Sequence, residues 1–188
     1  MSDGNDRVQM RVGGVVIDPS SQVPVVILRG IEEPRLYLPI FVGGLEATAI
    51  ATVLADVQMP RPMTHDLVVT VLAAVQCNIA GVAVTRLDSG TFYAEVRIVD
   101  PEGGELLLDA RPSDAIALAL RTKAPIAVAR EVIAEAGALA PEEEVPTEAA
   151  APPSGTEAKV DDAGPRSFFG DDVKLEDLRP DDFGKYKM

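Results

Sequence analysis

Runs of β-branched and aliphatic residues dominate the start of the chain and predict β-strands. Two such runs are "RVQMRVGGVVI" and "VPVVILRG", and a third, "RLYLPIFVGG", contains Pro39, which indicates an edge strand or a bulge. In "LEATAIATVLADV" the apolar residues instead recur at the spacing of one helical face, at Ala47, Ile50, Ala51 and Leu54. The start of the chain therefore predicts three strands followed by an amphipathic helix.

The rest of the pattern predicts a second helix from about His65 to Cys77 and then a meander in "AGVAVTRLDSGTFYAEVRIVDPEGGELLLDA". Turns at Asp88–Gly90 and Pro101–Gly104 divide this meander into three strands. A helix from Ser113, the short strand "PIAVA" and a last helix in "REVIAEAGAL" complete the order. Hairpin-linked strands with interspersed helices predict an α+β fold, with a mixed, largely antiparallel sheet flanked by helices.

The composition changes near residue 138. Residues 138–165 are rich in Pro, Glu and Ala, and their apolar surface is too small to offset the cost of ordering them. We therefore expect a folded domain at 1–137 and a disordered acidic linker at 138–165. Residues 166–188 are also acidic, yet they hold four of the eight aromatic residues, Phe168, Phe169, Phe183 and Tyr186. This disordered tail is either a solvated extension or a docking motif for a protein partner or for the protein's own groove.

The formal net charge of −13 is unevenly divided along the chain. Residues 138–188 contain 13 acidic and 6 basic residues, and residues 1–137 contain 17 acidic and 11 basic residues. This acidity disfavours the binding of polyphosphates, because phosphate contacts rely on Lys and Arg. A role with nucleic acid must therefore supply positive charge locally.

The sequence favours a cytoplasmic protein without a membrane segment. The N-terminal "MSDGNDRVQM" lacks the basic and apolar regions of a signal peptide. No apolar run approaches the roughly 20 residues that a membrane helix needs. The single Cys77 excludes an internal disulfide, and its apolar surroundings predict a buried structural thiol in a helix.

The segment "LLLDARPSDAIALALR" places four polar side chains where a strand gives way to a helix. Ser113 is a suitable N-cap, and Asp114 lies in the first turn, where the helix dipole favours negative charge. Capping does not explain Asp109 and Arg111, whose spacing puts them on the same side of the strand. If Asp114 folds back over this junction, two carboxylates and a guanidinium meet at a helix N-terminus, which is itself an anion site.

The segment "RPMTHDLVV" has nearly the same order, with Arg61, Thr64 as the cap and Asp66 in the first turn. It adds His65, the only histidine of the chain. A lone histidine is more often a packing or capping residue than a catalyst. The imidazole can nevertheless exchange a proton near neutral pH, so both interpretations stay open.

Together the two junctions contain groups suited to phosphodiester hydrolysis. Arg61 and Arg111 can bind phosphate oxygens through paired hydrogen bonds. His65 or Glu46 can move the proton. The predicted substrate-binding residues are thus Arg61, Arg111, Thr64 and Ser113, and the predicted catalytic residues are His65, Glu46, Asp114 and Asp109.

The aspartates of these junctions also suggest a cation. Asp66, Asp109 and Asp114 offer oxygen ligands for Mg²⁺ or Mn²⁺. Such an ion would offset the repulsion between carboxylates and a phosphodiester, and it could activate water. The alternative is structural, because Asp109–Arg111 and Asp66–Arg61 could be ion pairs that only pin the helix starts.

Four stretches together resemble the bifunctional nuclease family, also described as the DNase/RNase domain family of bacteria and plants: "YLPIFVGGLEATAIATVL", "RPMTHDL", "DSGTFYAEV" and "DARPSDAIALALRTKAPIAV". They occur in the family's order and cover approximately residues 8–135. The resemblance implies a compact α+β domain, self-association, and metal-assisted hydrolysis of both DNA and RNA. Some members append a short helical hairpin motif of the excision-repair type, whereas this chain carries the acidic linker and aromatic tail.

The sequence excludes several other chemistries, since it has no His/Cys cluster for zinc, no glycine-rich phosphate loop and no Gly-x-Ser-x-Gly elbow. The leading hypothesis is a metal-dependent nuclease of low sequence specificity. The alternative is a non-enzymatic, oligomeric binding module that recruits a partner through its C-terminal tail. A third hypothesis joins them, with the acidic tail mimicking polyphosphate and occupying the site.

Overall fold

The computed structural model describes residues 6–140, which form one eight-stranded sheet and four helices. The strands are β1 (Arg7–Ile17), β2 (Pro24–Gly30), β3 (Leu36–Phe41), β4 (Asn78–Asp88), β5 (Thr91–Val99), β6 (Glu105–Ala110), β7 (Ile126–Ala129) and β8 (Ala138–Leu139). The helices are α1 (Gly44–Leu54), α2 (Thr64–Ala74), α3 (Pro112–Thr122) and α4 (Arg130–Ala136). The predicted tail at 166–188 and most of the predicted linker lie outside the described residues.

The strands follow the order β6-β5-β4-β7-β1-β2-β3-β8, and within residues 6–140 only the β4–β7 pair is parallel. This arrangement confirms the predicted α+β class with a mixed, largely antiparallel sheet. The predicted meander forms β4 to β6, and Ser89 and Gly90 adopt the positive φ that a two-residue hairpin turn requires. Strand β8 covers only Leu36 and Tyr37 of β3, so Pro39 lies in the uncovered part of that strand, as the edge prediction requires.

Helix α3 lies at the centre of the core, where it packs against α1, α2, β4 and β5 and buries seven of its residues. The predicted apolar face of α1 is partly wrong. Ala47 and Ile50 are buried, whereas Ala51 and Leu54 are exposed and Ala49 is buried instead. Ala49 faces α3, because its carbonyl oxygen accepts a hydrogen bond from Arg121.

Helix α2 ends earlier than predicted. Its last helical residue is Ala74, and Gln76 adopts a positive φ that stops the helix. Cys77 therefore lies in the connection to β4, where it is half-buried. The predicted placement of this thiol, buried inside a helix, is wrong.

Strand β8 moves the predicted boundary of the folded domain. Ala138–Leu139 pair with β3, and Ala140 is buried, with its N–H donating to the carbonyl oxygen of Arg35 at 2.8 Å. The predicted start of the linker at residue 138 is therefore three residues too early. Composition did not reveal this segment because backbone pairing, and not an apolar side-chain pattern, holds it against the sheet.

Two apolar surfaces remain exposed within the described part of the chain. Helix α2 has no buried residue, and Leu67, Val71 and Val75 are each more than half exposed on or just after it. Strand β6 forms one edge of the sheet and exposes three consecutive leucines, Leu106, Leu107 and Leu108. Among residues 6–140, no helix combines the length and apolarity needed to span a bilayer.

Candidate active site at three helix N-termini

Three helices carry a carboxylate at the third helical position: Glu46 in α1, Asp66 in α2 and Asp114 in α3. Negative charge in a first turn is favoured by the helix dipole. The Asp66 carboxylate also caps its helix, because Oδ2 accepts a hydrogen bond from the backbone N–H of Met63 at 2.7 Å. These first turns meet in space, since direct side-chain contacts join all three helices.

Arg111 joins α1 to α3. Its Nη1 donates to Glu46 Oε1 at 2.9 Å, its Nε to Asp114 Oδ2 at 2.8 Å, and its Nη2 to Asp114 Oδ1 at 3.3 Å. The Asp114 carboxylate and, to a smaller extent, Glu46 raise the pKa of the guanidinium. Arg111 nevertheless stays 66% exposed, and two of its five N–H donors are left for a ligand.

His65 joins α2 to the same carboxylate, with 3.1 Å between its Nε2 and Asp114 Oδ1. Burial would raise the pKa of the Asp114 carboxyl, but hydrogen bonds from Arg111 and His65 outweigh burial and hold that pKa below its ordinary value. Asp114 is therefore ionised at neutral pH and can only accept hydrogen bonds. Because the Asp114 carboxylate only accepts, the Nε2 atom of His65 must carry a proton to donate to it. In the neutral imidazole the lone pair is then on Nδ1.

A second ion pair lies beneath this contact and links α2 to the last turn of α3. Arg121 Nε donates to Asp66 Oδ1 at 2.7 Å, and Nη1 donates to the carbonyl oxygens of Ala49 at 2.9 Å and Ala117 at 3.0 Å. Burial would raise the pKa of the Asp66 carboxyl, but the Met63 amide and Arg121 lower it further than burial raises it. The Arg121 side chain is only 7% exposed, so this pair fixes α2 beside α3.

The sequence interpretation missed Arg121 and the role of Gly43. Arg121 lies seven residues after Asp114, which is two helical turns along the same face. Gly43 precedes α1, and a Cβ atom there would collide with the Glu46 carboxylate, which folds back over the glycine. A larger residue at position 43 would therefore push Glu46 away from Arg111.

The predicted N-caps, Thr64 and Ser113, are wrong. Helices α2 and α3 begin at Thr64 and Pro112, so that Met63 and Arg111 occupy the cap positions. Thr64 is exposed, and Ser113 is buried at 7% exposure. The N3 carboxylate of α2 performs the capping that a hydroxyl was expected to perform.

Two other predicted site residues lie outside this contact network. Arg61 lines a separate cavity beside Asp66 and is not the partner of that carboxylate, which pairs with Arg121. Asp109 lies on the edge strand β6, in register with Glu95 of β5, and it forms none of these contacts. The alternative prediction of the ion pairs Asp66–Arg61 and Asp109–Arg111 is therefore wrong.

The predicted cation ligands do not converge. Asp66 and Asp114 use their oxygens for the Arg121, Met63, Arg111 and His65 contacts, while Asp109 lies apart on β6. Within residues 6–140 no group of three His, Cys, Asp or Glu side chains is placed to hold a metal ion. The set Asp66, Asp109 and Asp114 is thus not a preformed metal site.

These features define an α+β domain with a His–Asp pair and an exposed guanidinium assembled at helix N-termini. Residues 26–141, more than half of the chain, match the family described as the bifunctional nuclease domain. The chain belongs to this family, which confirms the resemblance found in the sequence.

Named relatives extend the comparison. An uncharacterized protein of Mycobacterium tuberculosis is 42% identical over 135 residues, which cover 72% of this chain and 79% of that protein. Bifunctional nuclease 1 of Oryza sativa subsp. indica is 27% identical over 109 residues, covering 57% of this chain and 33% of the rice protein. Bifunctional nuclease 2 of Oryza sativa subsp. japonica is 26% identical over 136 residues, covering 70% and 42%.

Proposed function

We propose that this protein is a nuclease of low sequence specificity that hydrolyses phosphodiester bonds in DNA and RNA. The observation that carries the proposal is the contact of His65 with Asp114, which lies beside the exposed Arg111. A base, a group that orients it and a cation for the phosphate thus lie together. Membership of the bifunctional nuclease family supports the same chemistry.

Each residue then has a definite role. His65 Nδ1 takes a proton from the attacking water, while Asp114 holds the imidazole in one tautomer and stabilises the positive charge that the ring gains. As the water oxygen bonds to phosphorus, the bond from phosphorus to one sugar oxygen breaks, and that leaving oxygen takes up a proton from solvent. The free N–H donors of Arg111 bind the phosphoryl oxygens, on which negative charge grows as water attacks. Glu46, predicted as an alternative proton carrier, instead holds Arg111 in place, because Oε1 accepts from the guanidinium.

Low specificity follows from what surrounds this site. Water as the nucleophile serves DNA and RNA equally, because no 2′-hydroxyl is required. Two of the four aromatic residues within residues 6–140, Phe41 and Phe92, line the cavity that includes Arg111 and Glu46. Stacking of bases on aromatic rings tolerates any sequence, whereas sequence readout needs donors that reach base edges. We therefore expect phosphates, and not base identities, to dominate recognition.

Cleavage assays with the full-length protein test this proposal. Single- and double-stranded DNA and RNA should be cleaved in Mg²⁺ or Mn²⁺, and EDTA should abolish cleavage. The cation requirement stays a prediction, motivated by the net negative charge of Glu46, Asp114 and Arg111. Cleavage that persists in EDTA contradicts the cation requirement, whereas intact substrates under every condition contradict the nuclease and favour the non-enzymatic binding module.

Self-association is a further part of the proposal. Helix α2 has no buried residue, and an apolar helix exposed on this scale is typical of an interface. We expect the full-length protein to be a homo-oligomer in light scattering, and Val71→Glu, in the middle of the exposed face, to dissociate it. Val16→Glu is the matched control, because Val16 on β1 is 50% exposed and Val71 is 53% exposed. A monomeric wild type, or equal effects of both substitutions, contradicts an interface at α2.

Two expectations from the sequence stay predictions. One is a cytoplasmic location. The other is a protein partner for residues 166–188, which pull-down with Phe168 and Phe169 replaced by alanine would test. Retention of the same partner by that variant contradicts a docking role for these aromatics.

A further inference from the structure

A cavity of about 460 Å³ lies next to the candidate site. The segment between α1 and α2 forms one wall, and the last turn of α3 with Lys123 forms another. Asp66 lines this cavity, and His65, which contacts Asp114, lies in the same first turn of α2. The cavity and the candidate site therefore share the first turn of α2.

The cavity carries two cations that no described residue neutralises. Arg61 and Lys123 both line it and are exposed, and neither forms a hydrogen bond or ion pair through its side chain within residues 6–140. Arg121 also lines the cavity, but Asp66 and two carbonyl oxygens occupy its donors. Among the described residues, Asp56 is the single lining carboxylate without such a contact, so the unpaired charge is positive.

The wall formed by the α1–α2 connection also contributes apolar side chains. Val57 and Met59 line it and are about half exposed, at 52% and 46%. A concave apolar wall beside two free cations suits a ligand with flat apolar rings linked by anionic groups. An unpaired nucleic-acid strand has this composition, since the faces of its bases can be buried against apolar side chains and its phosphates pair with Lys and Arg.

We infer that this cavity binds the single-stranded segment next to the scissile phosphate, with Arg61 and Lys123 contacting backbone phosphates and a base lying on Val57 and Met59. The inference rests on the proposed function, because it extends the same substrate beyond Arg111. It assigns Lys123 a role that the sequence did not suggest, and it places the predicted phosphate contact of Arg61 in a second part of the site.

Salt-dependent binding tests the phosphate contacts. Affinity of the full-length protein for a fluorescent oligo-dT is measured by anisotropy between 50 and 200 mM NaCl, for wild type, Arg61→Gln, Lys123→Gln and the double variant. Each substitution should reduce the slope of log K against log [salt] by about 0.7, and the double variant should reduce it by about 1.4. Arg86→Gln is the control, because Arg86 is exposed but pairs with Asp88 on the β4–β5 hairpin.

The outcomes separate this inference from the proposed function. Slopes that stay at the wild-type value in both single variants overturn the phosphate contacts, as does an equal decrease in Arg86→Gln. An oligonucleotide with abasic sites should bind more weakly than oligo-dT, and equal binding overturns the base contact. Reduced slopes in a protein that cleaves no substrate would support nucleic-acid binding in this cavity and contradict the proposed nuclease activity. Cleavage by wild type together with unchanged slopes in the variants would support the nuclease activity and contradict binding in this cavity.

Discussion

Replacement of His65 by alanine is expected to lower the rate of cleavage by about 10²- to 10⁴-fold, the usual contribution of a positioned general base. His65 is the only histidine of the chain, so no neighbouring imidazole can substitute for it. Its side chain is 16% exposed, and its one side-chain hydrogen bond within residues 6–140 is with Asp114, itself 31% exposed. The loss should therefore appear in kcat far more than in thermal stability. Initial rates on a single-stranded substrate, together with thermal unfolding, measure both effects.

A chemical rescue distinguishes catalysis from a structural effect. Added imidazole should restore part of the activity of His65→Ala, because the small molecule can occupy the space of the missing ring. Arg86→Gln, purified in parallel, should keep the wild-type rate and controls for the effect of an unrelated surface substitution. A His65→Ala variant that retains its rate within twofold, in preparations free of contaminating nuclease, contradicts the role of His65 as the base.

Replacement of Arg121 by methionine is expected to destabilise the protein by about 1–3 kcal/mol, the usual effect of losing hydrogen bonds that involve a charged group, because Arg121 is 7% exposed whereas its partner Asp66 is 37% exposed. The substitution keeps an unbranched apolar side chain but removes one donor from Asp66, which retains the Met63 amide, and one from each of the carbonyl oxygens of Ala49 and Ala117. Urea unfolding measures the change in free energy. Arg97→Met is the matched control, because Arg97 forms an exposed ion pair with Glu105 at 3.5 Å, and such pairs contribute about 0–1 kcal/mol.

The loss of stability in Arg121→Met should depend on pH, because the pKa of the Asp66 carboxyl is lowered in the folded protein. A carboxyl whose pKa is lower in the folded protein contributes stability above its unfolded pKa of about 4, and this contribution is lost as the pH falls through the folded-state pKa. The difference between wild type and Arg121→Met should therefore be largest near neutral pH and shrink below about pH 4. Equal losses for Arg121→Met and Arg97→Met at neutral pH contradict the assigned role of Arg121.

Local patterns were sufficient to predict most of the fold. Alternation and turn residues gave the β4–β6 meander, because a two-residue Ser89–Gly90 turn fixes which strands pair. The prediction of the buried face of α1 was partly wrong. Ala49 is buried near α3, where its carbonyl oxygen accepts a hydrogen bond from Arg121, 72 residues away. Strand β8 was missed for a similar reason, because two residues have no detectable period. Errors thus arose where distant segments decide the local arrangement.

The candidate site shows the same division. The hypothesis of one site required the "RPMTHDL" and "DARPSD" junctions to lie together, and the contact between His65 and Asp114 joins them across 49 positions. The sequence could not indicate which carboxylate each arginine selects. Asp66 pairs with Arg121 and not with Arg61, because the docking of α2 on α3 brings the last turn of α3 to the first turn of α2. Nearest neighbours in the chain were poor guides to ion pairs.

The assembly of one cluster from the beginnings of α1, α2 and α3 has a consequence for quality control of the purified protein. A sample in which α2 has detached can keep its strands and still give a sheet-like circular dichroism spectrum, because α2 has no buried residue. Its His65–Asp114 contact, however, will be broken. Under the proposed function, specific activity is therefore a stricter criterion of native packing than spectroscopy.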